Sequence, residues 1–281
     1  TSIIHMSMSI NEIAKELGLV ELSFHEIFVL PDSERERIDQ LEEKGICIDI
    51  KLLREILECA GKKCCIYEKI LDLRYEIILK TKQEIDNSEY IDYASKNFLS
   101  LLQTEKNIYE TIGYLTLLQM DAITTTIGLL QAQNDVERIM LSKHAYTIIY
   151  EAITNDLSKN VSKEMHKFPN EIVNIQKLSN FWKEVNSILK QIMDINFAKI
   201  VRNNIDAHKN NSFLEQIALY KKCQWADSII CLSIFSKIID LIQGYMDIIN
   251  ENMKNLYDKH IADLKERSKK LNQIIKELKD I

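Results

Sequence analysis

Glycine and proline are scarce in this sequence, with six Gly and two Pro among 281 residues. Strand-rich folds need a turn about every ten positions, and Gly and Pro supply many of those turns. A chain with so few turn residues cannot close many hairpins, so its composition predicts long helices. Hydrophobic residues make up 46% of the chain, enough to form a substantial core. We therefore expect an all-α protein.

Apolar residues recur at helical spacing along most of the chain, which predicts an elongated up-and-down helical bundle. The main expected helices cover approximately 49–86, 90–132, 134–157, 171–201 and 213–252. The polar stretch 155–170, which contains Pro169, predicts a loop.

Three segments differ in character. Residues 1–89 predict an N-terminal helical extension, residues 90–250 the bundle itself, and residues 251–281 a long C-terminal helical tail. Residues spaced alternately four and three apart form an apolar seam along this tail, which indicates a possible coiled coil. A serine in the seam weakens this indication. The seam consists of Tyr257, Ile261, Leu264, Ser268, Leu271, Ile275 and Leu278.

A polar cluster interrupts the helical pattern between Lys199 and Ser212. Asn and Asp compete for nearby backbone groups, so a run of them predicts the end of a helix. On one straight helix, Arg202 and His208 would point about 120° apart. A break between them lets the two side chains converge on a phosphate. His can exchange a proton near neutral pH, and Arg can stabilise charge on a phosphoryl group.

This cluster resembles the signature of the HEPN family (higher eukaryotes and prokaryotes nucleotide-binding domain). The signature is an Arg, often followed by Asn, and then a His after a gap of four to six residues. Here Asn203 follows Arg202, and five residues separate Arg202 from His208. The stretch 135–151 also resembles the penultimate helices of abortive-infection-type HEPN proteins. The resemblance covers approximately residues 90–250, and an all-helical bundle is the fold that it implies.

The resemblance implies a metal-independent endoribonuclease in which the 2′-hydroxyl of RNA attacks the adjacent phosphate. In that reaction His208 is the general base or acid, Arg202 holds the phosphate, and Asn203 positions one of them. The substrate-binding residues expected around them are Asn204, Lys199 and Lys209. Glu151 or Glu137 is expected either to orient Arg202 or to form an ordinary structural ion pair.

The resemblance further implies a homodimer with a composite site, acting as a toxin in a toxin–antitoxin or anti-phage abortive-infection system with a cognate antitoxin or toxin partner. Two features of the sequence also favour a dimer: the tail seam and the apolar surface just after the motif. That surface is expected from Cys223, Trp225, Ile229, Ile230 and Leu232.

The net charge of −6 does not indicate a nucleic-acid binder. The local balance differs, because residues 199–222 carry five Lys or Arg against two acids, a sum of +3. Residues 32–58 carry five basic residues against nine acids, a sum of −4. No Gly-rich phosphate loop or His/Cys ligand set occurs, so neither a cofactor nor a metal is expected.

The six cysteines form no C-x-x-C pair, which predicts free thiols in a reducing compartment. The opening residues lack the pattern of a secretory signal, and Lys237 and Asp240 interrupt the most apolar stretch. We therefore expect a cytoplasmic protein with no membrane span. His144, on an otherwise apolar helix, is expected to be a hydrogen-bonded core histidine.

Two other functions fit the same residues. The chain is either a catalytically inactive HEPN-like module that binds RNA or protein, as an antitoxin or scaffold, or a helical adaptor. In the adaptor, Arg202 and His208 form only a polar helix corner. If the two side chains converge on an open, basic cleft, the chain is the enzyme or the inactive module and not the adaptor. RNA cleavage then separates the enzyme from the inactive module.

Overall fold

The computed structural model describes Leu30 and residues 32–87, 93–203 and 213–279, and every regular element within them is helical. The all-α prediction is therefore confirmed. The elements are α1 (Asp32–Asp39), α2 (Ile50–Asp86), α3 (Tyr93–Gln131), α4 (Asp135–Glu151), a π-helical segment (Ala152–Val161), α5 (Ser162–Met165), α6 (Ile175–Ile192), α7 (Ile195–Val201), α8 (Phe213–Tyr220) and α9 (Trp225–Lys279).

Helices α2 and α3 lie antiparallel. Near one end Arg54 donates to the side chain of Gln131 at 3.0 Å, and towards the other Arg74 donates to Glu105 at 2.9 Å. The side chain of Asp49 begins α2 by accepting two backbone amides of the first turn, which is the usual N-cap arrangement. The predicted helix over 49–86 therefore agrees closely with the observed one.

Helix α9 packs along α3 in the opposite direction. Trp225, its first residue, donates its indole N–H to the Leu129 carbonyl at 3.0 Å. Farther along, the rings of Phe98 and Tyr257 meet edge to face, with centroids 6.3 Å apart. Helices α2, α3 and α9 therefore form an up-and-down frame, and the shorter helices α4 to α7 close the core around α9.

The core lies where α9 passes through the bundle. Its apolar residues recur every three or four positions and are removed from water, which is the pattern of a buried helix face. The fully buried members on α9 are Ile229, Leu232, Phe235, Ile239, Ile242 and Met246. The apolar surface expected just after the motif is mostly buried in the chain's own bundle: Cys223, Trp225, Ile229 and Leu232 are buried and Ile230 is partly buried. The dimer therefore stays a prediction, without support from this surface.

The predicted loop over 155–170 is wrong in its first two thirds. The chain stays helical from Glu151 through Met165, with ten residues in π-helical geometry. Leu157, Val161 and Met165, four positions apart, are all buried. Their burial holds the segment in helical form, while its polar residues occupy the outer face.

The single helix predicted over 171–201 is two helices. Helix α6 ends at Ile192, and the side chain of Asp194 accepts the amides of Asn196 and Phe197 to begin α7. This N-cap lets α7 leave in a new direction. The helix predicted over 213–252 is likewise divided, since α8 ends at Tyr220 and α9 begins at Trp225.

Helix α9 continues without a break into the predicted tail. Residues 261–270 are all exposed, and on the predicted seam Ile261 and Leu264 are 44% and 39% exposed. Pairing of this seam with another chain stays a prediction. Residues 225–270 are also long and apolar enough to cross a membrane, but only by length and composition. This evidence is weak, since the core helix of a bundle meets the same criterion.

Asp135, the first residue of α4, connects that helix to the start of the described chain through hydrogen bonds and ion pairs. Its carboxylate accepts the Leu30 amide at 3.1 Å and forms ion pairs with Arg35 and Arg138 at 2.9 and 2.6 Å. Burial raises the pKa of Asp135, but these hydrogen bonds and charges outweigh it and leave the pKa below its ordinary value. The ionised carboxylate therefore stabilises the fold above about pH 3.9, and this contribution is lost as the pH falls through the folded-state pKa.

We expect Asp135→Asn to lower the free energy of unfolding at pH 7 by about 1–3 kcal/mol, because it weakens the pairing of these donors. The difference from wild type should shrink as the pH falls below about 3.9, because the carboxylate of the unfolded chain then binds a proton before that of the folded chain. Urea unfolding at pH 7 and pH 3 measures both values. The exposed Asp258 provides a control, Asp258→Asn. If wild type and Asp135→Asn differ as much in free energy of unfolding at pH 3 as at pH 7, the stabilisation does not come from the ionised Asp135 carboxylate.

Candidate active site

Arg202 follows directly after α7, where a small apolar cluster fixes that helix against α4. Ala198 and Val201 of α7 are fully buried in a cluster with Tyr146 of α4. The rings of Tyr146 and Phe197 meet edge to face, with centroids 5.3 Å apart. The packing of α7 on α4 thus determines where the Arg202 side chain begins.

The guanidinium of Arg202 is held by Glu151, the last residue of α4. Its Nε donates to Glu151 Oε1 at 2.5 Å, and its Nη1 donates to Asn203 Oδ1 at 3.2 Å. Within the described part of the chain, Nη2 has no hydrogen-bond acceptor. The side chains of Arg202 and Glu151 are 35% and 32% exposed, so an anion can reach an arginine whose orientation is already set.

Asn155 completes the surroundings of Glu151. Its Nδ2 donates to Glu151 Oε2 at 2.6 Å, and its Oδ1 accepts from Lys159 at 3.0 Å. Asn155 was not among the predicted site residues, because it falls in the predicted loop. The signal was the spacing of four between Glu151, Asn155 and Lys159, which makes their side chains neighbours on a helix.

Three predicted site residues, His208, Asn204 and Lys209, lie outside the described residues. The convergence of His208 with Arg202 therefore stays a prediction. Of the predicted residues that the structure describes, it brings Arg202, Asn203 and Glu151 together. Their catalytic roles also stay predictions.

Glu137, the other acid proposed to orient Arg202, lies elsewhere. It is in the first turn of α4, where it accepts from the Gln133 amide at 2.6 Å and the Asn134 side chain at 3.0 Å. Fourteen residues separate it from Glu151, or about 21 Å along the helix. Glu137 therefore belongs to the N-terminal cap of α4 and not to the surroundings of Arg202.

His144 is not the core histidine that its apolar neighbours predicted, because its side chain is exposed. It lies seven residues before Glu151, almost two helical turns, so both residues share one face of α4. Arg202 bonds to Glu151 on this face, so the His144 side chain lies on the same side of α4 as the pair, about 10 Å away along the helix.

Several basic side chains lie on α4 and α7 or directly after α8. Lys199 is exposed on α7, and Lys221 and Lys222 are exposed just after α8. Lys143 of α4 places its ammonium group 5.8 Å from the centroid of the Tyr220 ring, within the range of a cation–π contact. Together with Arg202, these residues favour an anionic ligand despite the net negative charge of the chain.

All six cysteines are free, as predicted. Cys223, beside the Arg202 helix, and Cys231 are both buried. Burial raises the pKa of each thiol to about 12, although Lys143 partly opposes the rise at Cys223. Cys59 and Cys65 are exposed.

We expect iodoacetamide at pH 8 to modify Cys59 and Cys65 at least about tenfold faster than Cys223 and Cys231, because the two buried thiols are shielded from the reagent and their raised pKa values leave little thiolate. Peptide mapping by mass spectrometry measures the four rates. In a urea-unfolded control, the differences should largely disappear. Fast labelling of native Cys223 would contradict the packing that fixes α7.

Within Leu30 and residues 32–87, 93–203 and 213–279, no group of three or more His, Cys, Asp or Glu side chains is arranged to hold a metal ion. Comparisons of the chain with protein-family models, with curated proteins and with solved structures gave no match. The structure and the site thus define an all-helical protein with an oriented, partly exposed arginine directly after α7.

Proposed function

We propose that this protein is a metal-independent endoribonuclease of a toxin–antitoxin or anti-phage abortive-infection system, built on a HEPN-like bundle. The observation that carries the proposal is the Arg202–Glu151 pair. It orients a partly exposed guanidinium six residues before His208, in a stretch of sequence, residues 199–222, whose charges sum to +3. A fixed guanidinium suits the charge that develops on a phosphoryl group.

In the proposed reaction, Arg202 binds the non-bridging oxygens of the scissile phosphate. His208 accepts the proton of the 2′-hydroxyl while the 2′-oxygen attacks phosphorus. The bond from phosphorus to the 5′-oxygen breaks, and that oxygen takes up a proton from a general acid. The products are a 2′,3′-cyclic phosphate and a 5′-hydroxyl. Asn203 positions the reacting groups, and neighbouring phosphates bind to Asn204, Lys199 and Lys209.

We also propose a homodimer in which two copies of segment 202–208 face one cleft. One Arg and one His provide a base but no separate acid, and a second copy supplies the missing group. A two-fold dimer can share a cleft only if the two segments lie near its axis. Light scattering should then give twice the chain mass of 32.8 kDa. A monomer that is active on RNA would rule out the composite site.

Expression in bacteria tests the proposal. We expect the wild-type chain to arrest growth and degrade cellular RNA in the cytoplasm, and Arg202→Ala or His208→Ala to relieve both effects. Arg267→Ala and His166→Ala, at exposed positions elsewhere, serve as matched controls and should remain toxic. Soluble protein must be present at equal levels in all five strains. Full toxicity of both site variants would contradict the proposal.

A binding module is the second candidate, and one observation favours it. Helix α2 exposes a stripe of apolar residues on the side away from α3, which is the kind of surface that accepts a partner helix. The stripe includes Leu52, Ile56, Ile66 and Leu73, which are 39–55% exposed. A cognate toxin or antitoxin is the expected partner. RNA or protein binding without cleavage would favour this candidate over the enzyme.

A further inference from the structure

We propose that Asn155 is a positioning residue for Arg202 and acts through Glu151; this inference rests on the proposed function. Both oxygens of the Glu151 carboxylate are engaged, Oε1 by Arg202 Nε at 2.5 Å and Oε2 by Asn155 Nδ2 at 2.6 Å. The carboxylate therefore cannot rotate without lengthening one of two short hydrogen bonds. Its orientation sets the orientation of the guanidinium.

The Asn155 amide is itself fixed by charge. A carboxylate can only accept hydrogen bonds and an ammonium group can only donate them. The NH₂ end of the amide must therefore face Glu151, and its oxygen must face Lys159, as the structure shows. An aspartate at this position would repel Glu151, and an alanine would make neither contact.

The backbone places these side chains in register. Asn155 and Lys159 lie in the π-helical segment that continues α4, and buried Leu157 and Val161 anchor its inner face. Side chains four residues apart are neighbours on the outer face. π-helical turns within helices frequently occur at functional sites. Here the segment continues the row of polar side chains from Glu151 at the end of α4 to Asn155 and Lys159.

Loss of Asn155 leaves the ion pair in place but removes the restraint on its geometry. We therefore expect a larger effect on kcat than on KM, since alignment matters most in the transition state. Asn155→Asp and Asn155→Ala should each lower kcat for RNA cleavage by about tenfold. Asn160→Asp makes the same charge change at an exposed position of the same segment, and it should leave kcat unchanged.

A spectroscopic test does not depend on catalysis. The Nε–H signal of Arg202 can be assigned in a ¹H–¹⁵N spectrum by its loss in Arg202→Lys. In both Asn155 variants we expect this signal to shift and to exchange with water several-fold faster, whereas Asn160→Asp should leave it unchanged. Circular dichroism confirms that each variant is folded. If one Asn155 variant unfolds, the other and the milder Asn155→Ser decide.

The two proposals fail separately. An unchanged Nε–H signal in folded Asn155 variants would overturn the positioning role, whatever the activity. If the wild-type protein cleaves no RNA, the proposed function fails, and the Nε–H signal still shows whether Asn155 restrains Arg202. A tenfold loss of kcat in Asn160→Asp, together with an unchanged kcat in Asn155→Ala, would attribute the effect to added charge and would also overturn the role.

Discussion

Phe235→Ala is expected to lower the free energy of unfolding by about 3–5 kcal/mol. Phe235 lies about three turns into α9, is fully buried, and belongs to the main core between α9 and its neighbours. Removing its ring loses the transfer free energy and leaves a cavity that helices fixed on several sides fill poorly. Since a domain is stabilised by only about 5–15 kcal/mol, this loss is a large fraction of the total.

Urea unfolding followed by circular dichroism measures this effect. The midpoint should fall while the denaturant dependence stays constant, which shows that stability has changed and the unfolding reaction has not. Leu241→Ala on the same helix is the control, because Leu241 is 57% exposed, and it should cost less than about 0.5 kcal/mol. Similar losses at the two positions would show that α9 does not pack as described.

Arg202→Ala is expected to reduce the rate of RNA cleavage by about 10²–10³-fold, the usual effect of removing one donor that stabilises transition-state charge. Stability should change by less than about 1 kcal/mol, because a partly exposed ion pair contributes little. Glu151→Gln should have a smaller effect, since its amide oxygen still accepts from Arg202 while its NH₂ group faces the Asn155 donor.

Purified variants with equal circular dichroism spectra allow these rates to be compared in single-turnover reactions. Arg267→Ala, at an exposed position of α9, controls for the loss of one positive charge and should retain the wild-type rate. An equal loss in Arg267→Ala would attribute the effect to general electrostatics. An unaffected Arg202→Ala would remove Arg202 from the mechanism.

The helical class was predictable from the scarcity of Gly and Pro, and the start of α2 from Asp49, because both signals are local. The segment after Glu151 was not, since its polar composition concealed Leu157, Val161 and Met165. These three residues are spaced four apart, and their effect depends on a core formed by distant parts of the chain. Local composition cannot show that such a core is present.

The site was predictable only in part for the same reason. The sequence contains two candidate acids for Arg202, and the packing of α7 on the end of α4 determines that Glu151 meets it and Glu137 does not. The apolar neighbours of His144 predicted a core position, but the orientation of α4 within the bundle exposes this residue. Which face of a helix is buried is a property of the assembled bundle.

The most direct test of the proposed chemistry is cleavage of an end-labelled DNA oligonucleotide that contains a single ribonucleotide, with excess chelator present. The wild-type protein should cut only after the ribonucleotide and leave a 2′,3′-cyclic phosphate and a 5′-hydroxyl. The all-DNA strand should stay intact, and Arg202→Ala and His208→Ala should not cut either strand. Cleavage that requires a divalent ion, or equal cleavage by wild type and both variants, would contradict the account.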